Sequence, residues 1–417
     1  MDRRTALQVM GAASLPGTAA DSVKAGTPQP AAAPPDSPRH LTPDGADIGS
    51  LFPDIQRLIS RNRYPYSYLS GRFGSVEEYR DAGRAVVWDA LGYRPDPVPP
   101  AAEVIDRQDM GEFVREKILF STSSDFRIPA YVHIPKGLKG RAPAIVDLHS
   151  HGGMFLFGKE KVIDFGRNHP VMTAYHQVNY GGRPTTTALV RRGYVVITID
   201  AFMFGERRLM MDSDLKYGWD RARYSVDDAK YLNSVCSSKE STLAQSLMFA
   251  GLAWEGIVLW DDMRTVDYLI TRPEVDPNRV GCVGISFGGY RSLFLAGMDD
   301  RIRAGCVVGF MSTVAPMAKR HIDTHSWVHF VPSLHRYLDW PDIVAMRAPK
   351  PLMVLQCRRD GLFPLEGMEQ SLQKISAVYT KAGAGDRFNG RFYDVPHEFN
   401  VEMQEYAFNW LDENLKA

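Results

Sequence analysis

Val280-Gly281-Cys282-Val283-Gly284-Ile285-Ser286-Phe287-Gly288-Gly289-Tyr290 leads an apolar run into Gly-x-Ser-x-Gly and out through Ser292, Leu293, Leu295 and Ala296. The pattern predicts a buried strand, a sharp bend at Ser286 and an apolar helix. A serine that must project from such a bend takes a strained backbone conformation. Cβ atoms at positions 284 and 288 would then collide with the neighbouring strand and helix, so glycine flanks the serine. The start of the helix also aims main-chain N–H groups at any negative charge that develops beside the serine. By itself Gly-x-Ser-x-Gly arises by chance in glycine-rich chains. Here it follows a helix ending at Arg272-Pro273 and a turn at Asp276-Pro277-Asn278. We read Ser286 as a nucleophile; the competing reading is a glycine-rich turn with an incidental serine.

A hydroxyl nucleophile needs a base, and the base needs a carboxylate to orient it, in the chain order Ser, Asp/Glu, His for a strand-bend-helix nucleophile. Pro351 to Cys357 reads as a buried strand, and Arg358-Arg359-Asp360-Gly361 is the loop at its C-terminal end, where functional groups of open parallel sheets collect. Asp360 is the candidate acid. A turn aspartate serving only the Asp-Gly bend is the alternative, with Arg358 and Arg359 in surface ion pairs. Of eleven histidines, His397 alone follows a final strand and precedes a last helix, in Tyr393-Asp394-Val395-Pro396-His397. It is the candidate base. Asp394 is a weaker candidate for the acid, because it lies too near in sequence to reach the far imidazole nitrogen easily. One oxyanion donor is expected from the N–H of Phe287, the other from His149-Ser150-His151-Gly152-Gly153, after the strand Ala144 to Leu148. His151 is the first choice of main-chain donor and Gly152 the second. The His149 and His151 side chains read as structural hydrogen-bonders, with His149 also a candidate substrate contact.

Outward from these motifs, short buried strands alternate with longer helical stretches: Ala144 to Leu148, Tyr194 to Ile199, Val280 to Val283, Ala304 to Val308, Pro351 to Leu355 and Gly390 to Tyr393. Leu259, Met263, Val266 and Ile270 share a helix face, as do Met403, Ala407, Trp410 and Leu411. Phe113 to Ser121 and Ile128 to Ile134 have the period of two of antiparallel strands joined near Ser124-Asp125. The expected class is α/β, a mostly parallel central sheet with helices on both faces. Ser75-Val76-Glu77-Glu78 is a capping-box pattern opening a helix that Gly92 stops. The expected organisation is a signal and linker over 1–47, a helical extension over 48–111 packed on the main domain, and a catalytic domain over 112–417, with 201–246 as a cap-like insertion.

Lys+Arg (49) balances Asp+Glu (49), so no net field favours a polyanion, and nucleic acid is not an expected partner. No apolar run is long enough for an ordinary membrane span. Four cysteines, Cys236, Cys282, Cys306 and Cys357, have no metal-binding spacing and read as core. At the start, Arg3-Arg4 precedes a short, weakly apolar stretch from Ala6 to Ala20 that resembles a twin-arginine export signal. The expected location is therefore periplasmic or extracellular; a merely basic start would leave the chain in the cytoplasm.

These residues resemble the α/β-hydrolase superfamily, in particular its dienelactone-hydrolase-like and acetyl-xylan-esterase-like branch, from about Phe113 to the C-terminus. The resemblance rests on the His-Ser-His-Gly-Gly loop, on Gly193-Tyr194-Val195-Val196 leading to Asp200 and Gly205-Glu206-Arg207, on Gly284 to Gly288, on Arg359-Asp360 and on Pro396-His397. Relatives usually have glycine where this chain has Ser150. The resemblance implies a serine hydrolase of carboxylic esters, without metal or organic cofactor, acting on a small-molecule or carbohydrate ester. Phe202, Glu206, Arg207 and Trp327 are candidate substrate contacts, and the aromatics Phe202, Phe204, Trp219 and Tyr224 of the insertion have the chemistry to stack on a sugar or an aryl ester. Three other readings stand beside this one: a metal-dependent hydrolase using His321, His325 and His329, which are spaced by four; an amidase or peptidase using the same serine; and a non-catalytic ligand-binding relative.

Overall fold

The computed structural model describes residues 45–212, 214 and 220–416. The export-signal residues, nearly all of the proposed linker and Trp219 lie outside the described residues. Nine strands form one sheet: β1 (Glu103–Asp109), β2 (Phe113–Ser121), β3 (Arg127–Pro135), β4 (Ala142–Leu148), β5 (Val195–Ile199), β6 (Val275–Ile285), β7 (Ile302–Val308), β8 (Leu352–Cys357) and β9 (Phe388–Tyr393), in the order β1-β2-β3-β5-β4-β6-β7-β8-β9. β1 to β3 pair antiparallel, β3 joins β5 antiparallel, and every pair from β5 through β9 is parallel.

Around the sheet lie α1 (Phe52–Ile59), α2 (Val76–Leu91), α3 (Pro170–Tyr180), α4 (Thr185–Arg191), α5 (Val226–Phe249), α6 (Trp254–Leu269), α7 (Phe287–Met298), α8 (Val314–Met317), α9 (Trp340–Ala345), α10 (Leu365–Lys381) and α11 (Val401–Leu415). One apolar cluster joins α3, α4 and α11 to Ile145, Val196, Val283 and Val308. The opposite face is covered by α6, α7, α9 and α10, packed on Cys282, Val307 and Val354. A two-sided parallel sheet of this kind requires near-continuous apolar strands, and β4, β5 and β8 are buried along their whole length. All four cysteines are free and buried. Among the described residues no single helix is long and apolar enough to cross a membrane.

α2 begins at Ser75, whose hydroxyl accepts from Glu78 N–H, and ends at Gly92 with φ 66°. The Glu78 carboxylate accepts instead from Gly74 N–H, one residue upstream of the expected reciprocal bond. Arg80 donates to the carbonyls of Met346 and Ala348, and Arg84 to that of Gly297, which fixes this helix on the main domain. The expected division at 111/112 needs correction. β1 lies before it yet forms the sheet edge, paired with β2. Its sequence Glu-Val-Ile-Asp-Arg-Gln-Asp is exposed throughout and lacks the apolar alternation that marks a half-buried strand.

Just before the first loop, Asp147 of β4 is buried and accepts hydrogen bonds from the hydroxyls of Thr185 and Thr186, both at 2.7 Å, tying α4 to the sheet. Burial pushes its carboxyl up to about 7, and the two hydroxyls offset this only in part. Between its ordinary value of 3.8 and about 7 the folded protein keeps a proton that the unfolded chain has released, so stability contributed by this group falls as pH rises through that window. Asp147→Asn is expected to make the decline shallower by up to about 1.4 kcal/mol per pH unit. Denaturant midpoints measured across the window check this, and an unchanged slope would reject it.

Candidate active site

Ser286 joins β6 to α7 with φ 60° and ψ −124°, a conformation forbidden to most side chains. Backbone crowding explains the glycines around it. A Cβ on Gly284 would lie 2.5 Å from both Leu148 O and Gly288 C, and one on Gly288 would lie 1.9 Å from Leu148 O. Ser286 N–H donates to Val308 O at 2.9 Å, which fixes the bend against the end of β7.

The imidazole of His397 stands at this same rim. A Cβ placed on Gly309, the residue after Val308, would meet His397 Cε1 at 3.4 Å and Ile285 Cγ1 at 3.4 Å. His397 Nδ1 is 2.6 Å from Asp360 Oδ2. Asp360 is itself buried, and its Oδ1 accepts from Leu362 N–H at 2.8 Å, so the carboxylate is held at both oxygens. A carboxylate on Nδ1 selects the tautomer with the proton there and leaves Nε2 as the acceptor. Nε2 is buried and has no hydrogen-bond partner among the described residues. Asp394, the alternative acid, is exposed and ion-paired with Arg359, while Arg358 pairs with Glu369 on the surface.

Phe287 opens α7, so its N–H has no acceptor within that helix. Its ring is fully buried against Phe204, with centroids 5.6 Å apart. Alongside runs the loop after β4. His149 is buried, donates from Nδ1 to Ser150 O and accepts Ala201 N–H at Nε2, so both nitrogens are engaged. Burial holds its pKa well below the ordinary value. His149 is thus a neutral scaffold residue, which corrects the expectation that it contacts substrate. Ser150 places its hydroxyl 2.7 Å from Tyr175 Oη and 3.0 Å from Tyr180 Oη. His151 accepts Gly153 N–H at Nδ1 and donates from Nε2 to Glu240 Oε1 at 2.8 Å.

Glu240 lies on α5, the long helix of the insertion, and the same Oε1 accepts the Ser326 hydroxyl at 2.7 Å. One buried carboxylate therefore ties the first loop to the turn before Trp327–His329. Glu240→Ala is expected to cost about 1–3 kcal/mol of stability, because the buried Ser326 hydroxyl and the half-buried His151 imidazole both lose their acceptor. It is also expected to lower kcat/KM of an ester assay by about 10- to 100-fold through misplacement of the loop. Urea titration and steady-state kinetics test both parts.

Other candidates fall elsewhere. Glu206 binds Lys117, Lys159 and Arg221, and Arg207 binds Asp261 and the carbonyl of Asp200, so neither pairs with the other. Phe202 packs on Phe126 beneath the Arg207 guanidinium. Phe204 and Tyr224 are buried, which leaves them no face for a ligand and corrects the stacking expectation for these two. Trp327 is 38% exposed, at 6.2 Å from Phe330. His321, His325 and His329 do not share a helix. Turns carry the first two and a short 3₁₀ turn, Trp327–His329, carries the third. Among the described residues no group of three or more His, Cys, Asp or Glu side chains is placed to hold a metal, which removes the support for the metal-dependent reading. His325 and His329 are instead packed among Phe310, Phe363, Phe287 and Tyr290, and burial lowers the pKa of both.

Sequence reasoning missed Glu240 and Lys161. Lys159-Glu160-Lys161 has the look of a solvated charged turn, yet all three are buried. Lys159 is paired with Asp200 at 2.5 Å and Glu206 at 2.6 Å; burial pulls its pKa down, but Asp200 and Glu160 outweigh this and hold it above the ordinary range.

A mostly parallel sheet with a serine on a strained strand-to-helix turn, and a carboxylate-paired histidine at the same rim, defines an α/β hydrolase. The chain belongs to the Abhydrolase family, whose model matches residues 75–416. It is 27% identical over 307 residues to YtaP of Bacillus subtilis (strain 168), provisionally named a hydrolase, covering 73% of this chain and 89% of that one. Among solved structures it is similar to BF1801 of Bacteroides fragilis, provisionally named an acetyl xylan esterase, with TM-score 0.61, 18% identity, and coverage of 85% of this chain and 86% of that one. A glucuronoyl esterase from Solibacter usitatus superposes with TM-score 0.54 and 15% identity, over 81% of this chain and 92% of that one. At these identities the two structures establish the fold alone.

Proposed function

We propose that this protein is a serine hydrolase that cleaves carboxylic esters through an acyl-enzyme, with Ser286 as nucleophile, His397 as general base and Asp360 as the acid that orients it. Ser286 Oγ attacks the ester carbonyl as its proton passes to His397 Nε2. The N–H groups of Phe287 and of His151 or Gly152 hold the oxyanion. The imidazolium returns the proton to the departing alcohol, and water then releases the acid by the same steps in reverse. The observation that carries the reading is the 2.6 Å Asp360–His397 contact beside Gly309, on the strand end that also receives Ser286 N–H.

The proposed substrate is a carbohydrate ester, an acetyl or related ester. Its support is the shared fold with proteins named as acetyl xylan and glucuronoyl esterases, and the exposed Trp327, an aromatic face suited to a sugar ring. Export through the Arg3-Arg4 segment is part of the proposal, and accords with a protein that meets polymeric substrate outside the cell. An ester panel varying acyl length and including acetylated xylan, run with fluorophosphonate labelling, tests it. Labelling at Ser286 with ester turnover is the expected result. Unlabelled Ser286, or cleavage confined to amides, would reject it.

A further inference from the structure

Lys161 is fully buried, and its side-chain nitrogen finds no carboxylate partner within ion-pair reach among the described residues. Its Nζ donates to two main-chain carbonyls, Ser150 O at 2.8 Å and His151 O at 2.9 Å, and lies 4.5 Å from the centre of the Phe204 ring. Ser150 O receives a second donor, His149 Nδ1. Burying a lysine on neutral acceptors is costly, and packing alone would be served by methionine.

Peptide geometry gives the contact its meaning. In a trans peptide the C=O and N–H of one unit point in opposite directions. Ser150 O belongs to the unit that carries His151 N–H, and His151 O to the unit that carries Gly152 N–H. One amine thus pins the carbonyls of both units from behind, and turns both amide protons away from itself. Neither proton has an acceptor among the described residues. The same loop lies against the nucleophile turn, because Leu148 O and His149 C are the atoms that exclude a Cβ from Gly288. A donor on a carbonyl also polarises its peptide, which makes the N–H opposite a stronger donor.

We propose that Lys161 is a positioning residue of the oxyanion site, aiming and polarising the N–H groups of His151 and Gly152 through the carbonyls of Ser150 and His151. This rests on the ester-hydrolase reading above. Burial lowers the lysine's pKa well below its ordinary value, against the pull of Asp200 and Glu160. An uncharged amine still has two N–H donors, enough for the two carbonyls.

The test compares Lys161→Met, which keeps the volume and removes the donor, with wild type on p-nitrophenyl acetate and with phenylboronic acid as a tetrahedral mimic. The expected result is a fall in kcat of about 10²- to 10³-fold, KM within about twofold, and boronate affinity weakened in proportion to kcat/KM. Lys161→Arg, which keeps the donors, is expected to recover part of kcat. A folded Lys161→Met protein with wild-type kcat, or with unchanged boronate affinity, overturns the proposal. Should that variant fail to fold, amide NMR of the wild type decides: the His151 and Gly152 protons shift downfield when boronate binds, and unmoved resonances overturn it. Ser286→Ala measured in parallel separates the two readings. If Ser286→Ala is inactive while Lys161→Met is normal, only the lysine's role falls; if Ser286→Ala turns over normally, the hydrolase mechanism falls with it.

Discussion

Replacing Ser286 by alanine is expected to reduce turnover of a small activated ester by about 10⁴- to 10⁶-fold and to leave folding intact. The serine side chain caps no helix N–H, so its removal breaks no structural hydrogen bond at the start of α7. Alanine at φ 60° is about as strained as serine, so the substitution leaves the backbone cost unchanged. His397→Ala is expected to lose activity to a similar degree, since a hydroxyl without its base is a weak nucleophile. Combining the two changes should add little, because in the proposed mechanism both residues act in one proton transfer. Asp360→Ala is expected to be milder, for the imidazole survives with its tautomer unselected; the Leu362 N–H bond to the same carboxylate is lost too. Turnover and unfolding midpoints for the four proteins check this, and near-native turnover in Ser286→Ala would reject the assignment.

Gly288→Ala is expected to be the most damaging single change that touches no reacting group. The added methyl would sit 1.9 Å from Leu148 O, 2.9 Å from Leu148 C and 3.2 Å from His149 C, all backbone atoms. Backbone has no rotamer by which to withdraw. Either α7 must move off β6, carrying Ser286 with it, or the end of β4 must move and carry the His149–Gly152 loop. Overpacking of this kind costs about 1–3 kcal/mol, and more where only backbone can yield, and either displacement separates the proposed nucleophile from the proposed oxyanion donors, so activity should fall by about 100-fold beyond the loss of folded protein. Gly140→Ala is the control, with open space around its Cβ and no positive φ. Denaturant unfolding and kinetics normalised to active-site titration measure both. A Gly288→Ala protein as stable and active as the Gly140 variant would show that the crowding at this bend relaxes easily.

Much of this arrangement was legible because its causes are local. Strands β2 and β3 follow from their period of two, β4 to β9 from short runs between turn residues, and α2 from Ser75 and Gly92. The bend at Ser286 follows from two glycines that only a tight strand-helix junction requires, and Asp360 and His397 from their places after β8 and β9. Their chain order needs no long-range information, since each motif announces its own strand end.

What tertiary structure alone decided is which charged and aromatic side chains leave water. β1 joins the sheet through backbone pairing that its exposed, mostly polar residues do not signal. Glu240 and Lys161 look like ordinary surface charges in sequence: Glu240 becomes a buried tie because His151 and Ser326 arrive from distant segments, and Lys161 because the chain folds its amine back onto the carbonyls of the loop just before it, which the rest of the core then covers. Phe204, His149 and the histidines at 325 and 329 are packed for the same reason. By itself the sequence determined most of the elements and the chain order of the proposed reacting groups, since period and turn chemistry act over a few residues. Burial and partner choice are properties of the assembled core, where the solvation of each side chain depends on segments far away along the chain.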